Sequence, residues 1–66
     1  MDKDTGEVKF FNEEKGYGFI IRENGPEIFF HVTGLIYSTK PMKGDKVRFN
    51  IITAQKGPKA IDIDIR

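Results

Sequence analysis

The chain has 66 residues, with eleven lysines and arginines, ten aspartates and glutamates, one histidine and no cysteine, for a formal net charge of +1. That length supports one small domain burying about 60% of the surface its unfolded form exposes, and the lack of cysteine excludes disulfides, thiolate metal sites and a cysteine nucleophile. A nearly neutral charge is silent about a polyanionic partner, so any such partner must be argued from local arrangement.

Turn signals at Lys15-Gly16, Asn24-Gly25-Pro26, Lys43-Gly44-Asp45 and Lys56-Gly57-Pro58 divide the chain into runs too short for ordinary helices. Gly6 to Asn12 is the first expected strand, Tyr17 to Arg22 the second and Glu27 to His31 the third. Positions 32 to 43 lack alternation, and Gly34 and Pro41 interrupt any helix longer than a turn or two there. Across about 45 to 53, Val47, Phe49 and Ile51 alternate with Lys46, Arg48 and Asn50, which describes a half-buried fourth strand. Ala60 to Arg66 places Ile61, Ile63 and Ile65 on one face of a fifth, so Ile61 and Ile63 are expected in the core. Short strands in so small a chain leave unpaired edges unless the sheet curls closed. The predicted fold is therefore all-β, a five-stranded antiparallel oligonucleotide-binding (OB-fold) barrel.

Aromatic residues stand out: Phe10, Phe11, Tyr17, Phe19, Phe29, Phe30, Tyr37 and Phe49, six of them between positions 10 and 30. Tyr17 and Phe19 lie two apart on a strand and share a face, as do Phe29 and His31. The Asn24-Gly25-Pro26 turn pairs these two strands directly, which would gather the four rings into one patch and leave Ile20, Ile28 and Phe30 for the core. Every base has a π-face, and stacking on an aromatic contributes roughly 1–3 kcal/mol per base, so such a patch suits a sequence-tolerant binder of single strands. Lys9, Lys15, Lys40, Lys56 and Lys59 are candidates for phosphate at its border, provided Glu13, Glu14, Glu23, Asp62 and Asp64 mostly point elsewhere. Parity with Val8 would send Phe10 inward, and Phe11 is ambiguous.

Lys15-Gly16-Tyr17-Gly18-Phe19-Ile20 and Ile28-Phe29-Phe30-His31 resemble the paired ribonucleoprotein motifs that cold-shock proteins carry on adjacent strands. The resemblance covers nearly the whole chain. Gly6-x-Val8-Lys9-Phe10-Phe11-Asn12 is similar to the family's opening, and Gly44-Asp45-Lys46-Val47-Arg48-Phe49 and Lys56-Gly57-Pro58-Lys59-Ala60 to its fourth strand and final hairpin. The first motif also occurs in the RNA-recognition-motif fold, which needs two amphipathic helices that this chain lacks the length and periodicity to form. The resemblance implies a single cold-shock domain over residues 1–66. It implies binding of single-stranded RNA and/or DNA with low sequence specificity, in an RNA chaperone or a regulator of transcription or translation.

The expected nucleic-acid-binding residues are Lys9, Phe10, Lys15, Tyr17, Phe19, Phe29, His31, Tyr37 and Lys56. Phe10 and Tyr37 enter on the resemblance alone: Phe10 stands where the family has tryptophan, and Tyr37 takes the part of a loop aromatic. Two further departures are Val32, where the family often has another aromatic after the histidine, and Thr33, where it usually has serine.

The plainer alternatives are specific. Aromatics in a small β domain are usually core, and on composition alone this is the reading for Phe10, Phe11, Phe30, Phe49 and Tyr37. A lone histidine at a strand end is most often a solvated surface group, and without a second histidine or a cysteine nearby it does not suggest a metal. No cofactor is expected. Catalysis would need convergent acids, bases or metal ligands, whereas the acidic residues are scattered, so an enzyme is not expected. The rival from another class is a small β-barrel that binds a protein or peptide through the same patch. No run approaches the roughly 20 apolar residues of a membrane span, and Met1-Asp2-Lys3-Asp4 lacks a signal-peptide pattern. The expectation is a cytoplasmic monomer with no membrane partner.

Overall fold

The computed structural model describes residues 3–36 and 40–66. Strands β1 (Asp4–Asn12), β2 (Tyr17–Arg22) and β3 (Ile28–His31) are followed by a 3-10 turn at Val32–Gly34, then β4 (Lys46–Ala54) and β5 (Gly57–Ile65). They close into a barrel in the order β1-β2-β3-β5-β4. The expectation of antiparallel strands holds at four of the five seams; β3 and β5, which close the barrel, run parallel. The reason is topological: an odd number of strands in a closed ring cannot all alternate in direction, so one neighbouring pair must agree.

The core consists of Val8, Ile20, Ile28, Phe30, Val47, Phe49, Ala60 and Ile63, each no more than 2% exposed. Phe11, Leu35, Ile51 and Ile65 are partly buried and pack against it. The alternations in β2, β3 and β4 therefore point inward as the sequence pattern implies. Gly18 is buried between the two rings of the first motif, and a Cβ there would stand 2.8 Å from Cε1 of Phe30. That strand carries no inward side chain at this point because the Phe10 backbone carbonyl and the Phe30 ring occupy the space.

Two β-bulges alter the simple alternation. In β1, Val8 pairs with Ile20 and Phe10 with Phe19, so Lys9 is an extra residue with no partner on β2. An extra residue reverses the parity of everything beyond it. Phe10 accordingly turns outward despite Val8 pointing inward, and Phe11 turns inward to stack on Phe30 with centroids 5.9 Å apart.

In β5, Asn50 pairs with Ile61 and Arg48 with Asp64, so Asp62 and Ile63 together oppose Phe49. Asp62 adopts φ 51, the left-handed conformation that aspartate tolerates better than branched residues. The expectation that Ile61 is a core residue is corrected by this bulge. Ile63 is 1% exposed and Ile65 packs on the core, while Ile61 stays half-buried on the outer face.

Candidate nucleic-acid interface

The short β2–β3 connection, residues 23–27, holds its two strands in the register Tyr17↔His31 and Phe19↔Phe29. Both pairs face away from the core, whose lining on the same strands is Ile20, Ile28 and Phe30. The β1 bulge adds Phe10 opposite Phe19. Phe10 is 38% exposed, and Tyr17, Phe19, Phe29 and His31 are half-buried.

The rings support one another in edge-to-face, tilted and stacked pairs. Phe10 lies 5.6 Å from Phe19 and 6.0 Å from Tyr17, and Phe19 meets Phe29 at 5.9 Å and 76°. Tyr17 and Phe29 stack at 5.8 Å and 24°. Each such pair contributes about 0.5–1.5 kcal/mol beyond its buried area, enough to hold the rings as a preformed surface.

His31 is oriented by its neighbour two residues on. Its Nδ1 accepts the backbone N–H of Thr33 at 3.2 Å and lies 3.0 Å from the Thr33 hydroxyl. Accepting an N–H requires an unprotonated Nδ1, so in the neutral ring the proton sits on Nε2, leaving that nitrogen as a donor. Thr33 is a positioning residue that sequence reasoning did not assign to the site. The serine or threonine two residues after the histidine was its signal.

The basic residues divide into engaged and available ones. Lys9 reaches across β2 to Glu27, with Nζ 2.9 Å from Oε2 and 3.2 Å from Oε1. Both groups are roughly half exposed, and ion pairs of this kind are worth at most about 1 kcal/mol, so Glu27 holds Lys9 only weakly. Lys40 is paired with Glu13 at 2.9 Å. Among the described residues, no ion pair engages Lys15, Lys56 or Lys59.

Lys15 lies in the β1–β2 turn, where its backbone N–H donates to Oδ1 of Asn12 at 3.0 Å and Gly16 donates to the Asn12 carbonyl at 2.7 Å. Gly16 holds φ 74 there, and the turn abuts the imidazole of His31. Lys56 lies in the β4–β5 turn. The β4–β5 turn and Phe19 and Phe29 enclose an apolar cleft of about 600 Å³, lined also by Gln55, Pro58 and Lys59. Gln55 and Pro58 as walls of this cleft were not legible in the sequence, because nothing local links that turn to the distant motifs.

Of the remaining expected residues, Tyr37 lies outside the described residues. Val32, in the place after the histidine, is 42% exposed beside the Gly16 turn. Among the described residues, no three histidine, aspartate or glutamate side chains gather to hold a metal ion, and no helix is long and apolar enough to cross a membrane.

Comparison with known proteins agrees with this geometry. The chain is 44% identical over 62 residues to a major cold shock protein of Streptococcus pyogenes, covering 88% of this chain and 90% of that one. It is 38% identical over 60 residues to the cold shock-like protein CspC of Bacillus cereus, covering 88% and 92%. Among solved structures, the one described as "drosophila Unr CSD456" superposes with a TM-score of 0.79 at 26% identity, over 97% of this chain. This chain spans only 26% of that longer one. Residues 4–65 match the profile of the "Cold-shock" DNA-binding domain. The order of the strands, the two outward motifs and these matches together show that the chain belongs to the cold-shock domain family.

Proposed function

We propose that this protein binds single-stranded nucleic acid, RNA or DNA, with low sequence specificity, as a cytoplasmic monomer of the cold-shock type that keeps RNA open as a chaperone or regulates transcription or translation. The observation that carries the reading is the outward register of β1, β2 and β3, which presents Phe10, Tyr17, Phe19, Phe29 and His31 as one surface. Bases stack on these rings, each for roughly 1–3 kcal/mol. The description of the family as DNA-binding and the names of the bacterial relatives support the same reading.

Phosphates meet Lys15 at the β1–β2 turn and Lys56 at the β4–β5 turn. Lys9 joins them once it leaves Glu27. Tyr37 belongs to the proposed set on the family resemblance alone. The low net charge of +1 makes stacking the larger part of the affinity.

The test is a fluorescence titration with oligothymidine and oligouridine at graded salt. Binding of either, with quenching of tyrosine emission and a moderate salt dependence, supports the proposal. A protein that ignores both oligomers but captures an aromatic-rich peptide on the same face is a peptide-interaction module instead.

A further inference from the structure

The outward row of side chains does not stop at β3. Phe10 pairs with Phe19, Phe19 with Phe29, Phe29 with Lys59 across the parallel seam, and Lys59 with Ile52. One ladder row thus crosses all five strands. At about 4.8 Å between strands, its aromatic half spans roughly 10 Å, and β5 and β4 extend it to roughly 19 Å around the barrel.

Lys59 separates two depressions on this row. On one side is the cleft against Phe19 and Phe29. On the other is a notch of about 240 Å³ between His31 and Thr33 at one wall and Ile52, Ile61 and Asp62 at the other. Ile52 is 40% exposed, and Ile61 is on the outer face only because of the bulge at Asp62. No ion pair among the described residues holds Lys59.

We infer that this notch is a further nucleotide subsite: a single strand leaving Phe29 and His31 crosses the β3–β5 seam, sets a phosphate on the Lys59 ammonium and lays its next base against Ile52 and Ile61. The inference rests on the single-strand reading above. It follows from continuity of the row and from the charge pattern. A cation between an aromatic cleft and a polar notch that presents Ile52 and Ile61 matches a polymer in which phosphates alternate with flat bases. Asp62, whose Oδ2 accepts from Nδ2 of Asn50 at 3.1 Å, disfavours a phosphate inside the notch itself. It leaves the carboxylate's other oxygen to accept from a base amino group.

The experiment measures affinity by anisotropy for oligomers of about four and about eight nucleotides, the lower part of the site-size range of such barrels. Wild type, Lys59→Gln and Ile52→Glu are compared, each first shown to keep the wild-type thermal midpoint. Both substitutions lie on the outer face, and Ile52→Glu probes the notch without touching Lys59. The expected result is a loss of roughly threefold to tenfold for the longer oligomer in both variants, with the shorter one unaffected by Ile52→Glu. For Lys59→Gln the slope of log affinity against log salt should also become shallower by about 0.7, one phosphate on a single strand. Equal affinities for variant and wild type at both lengths, or equal losses at both lengths for Ile52→Glu, would overturn the subsite. Wild-type protein that binds neither length overturns the single-strand reading itself, a separate outcome.

Discussion

Replacing Phe29 and Phe30 by alanine, one at a time, separates the two faces of β3 within two adjacent residues. Phe30 is 0% exposed, stacks on Phe11 at 5.9 Å and covers Gly18. Truncating such a ring costs about 3–5 kcal/mol of folding free energy. A chain of 66 residues has only about 3–10 kcal/mol in total, at roughly 0.05–0.15 kcal/mol per residue. Phe30→Ala should therefore unfold most of the protein at or a little above room temperature. Phe29 is half-buried and loses two ring contacts, with Tyr17 at 5.8 Å and Phe19 at 5.9 Å. Those are worth about 1–3 kcal/mol at most, so Phe29→Ala should stay folded with a lowered midpoint. Its single-strand affinity should fall by roughly 1–3 kcal/mol, about five- to 150-fold. Phe19→Ala should behave likewise. Urea denaturation followed by circular dichroism gives the folding term, and oligothymidine titration of the folded fraction gives the binding term. A folded Phe30→Ala protein that loses binding, beside a Phe29→Ala protein that unfolds, would mean the register is off by one and the wrong face has been assigned to the ligand.

Ile63→Ala should cost about 2–5 kcal/mol in a denaturation curve, whereas Ile61→Ala should cost clearly less; equal losses would deny the bulge at Asp62. Gly18→Ala forces a methyl against the Phe10 backbone carbonyl and the Phe30 ring and should destabilise by about 1–3 kcal/mol or more, read from the same curves. With Lys15, Lys56 and Lys59 available and Lys9 held by Glu27, about three phosphates should be neutralised, so log affinity against log salt should slope near −2 for single strands; a slope near −7 would show a much larger electrostatic footprint than these lysines supply. The hydrogen bond and charge of Glu7 raise the pKa of Lys46 above its ordinary 10.5. A raised folded-state value makes the contribution of this pair complete below the unfolded pKa and lost as pH rises through the folded one. The thermal midpoints of wild type and Lys46→Met should therefore converge in that alkaline window, and a gap that persists above it would argue that the Lys46 stem acts through packing.

The parity of Tyr17, Phe19, Phe29 and His31 was legible in the sequence because β2 and β3 are unbroken and joined by a short turn. Within such a hairpin, period two and a local connection leave little freedom of register. The core positions Ile20, Ile28, Phe30, Val47 and Phe49 followed from the same rule, and all five are buried. Phe10, Phe11 and Ile61 did not follow. A bulge adds one residue to one strand only, which leaves the local residue pattern almost unchanged yet turns every later side chain to the opposite face, so only the partner strand reveals it. Ring closure was equally invisible. Phe29 and Lys59 are thirty positions apart in the chain, and what makes them neighbours is the parallel seam that an odd ring of strands requires. The pairing of Lys9 with Glu27 belongs to the same class, since it depends on how far the bulged residue reaches across β2. Local alternation thus determined which rings could stack bases; long-range pairing decided how many joined them and which lysines stayed available beside them.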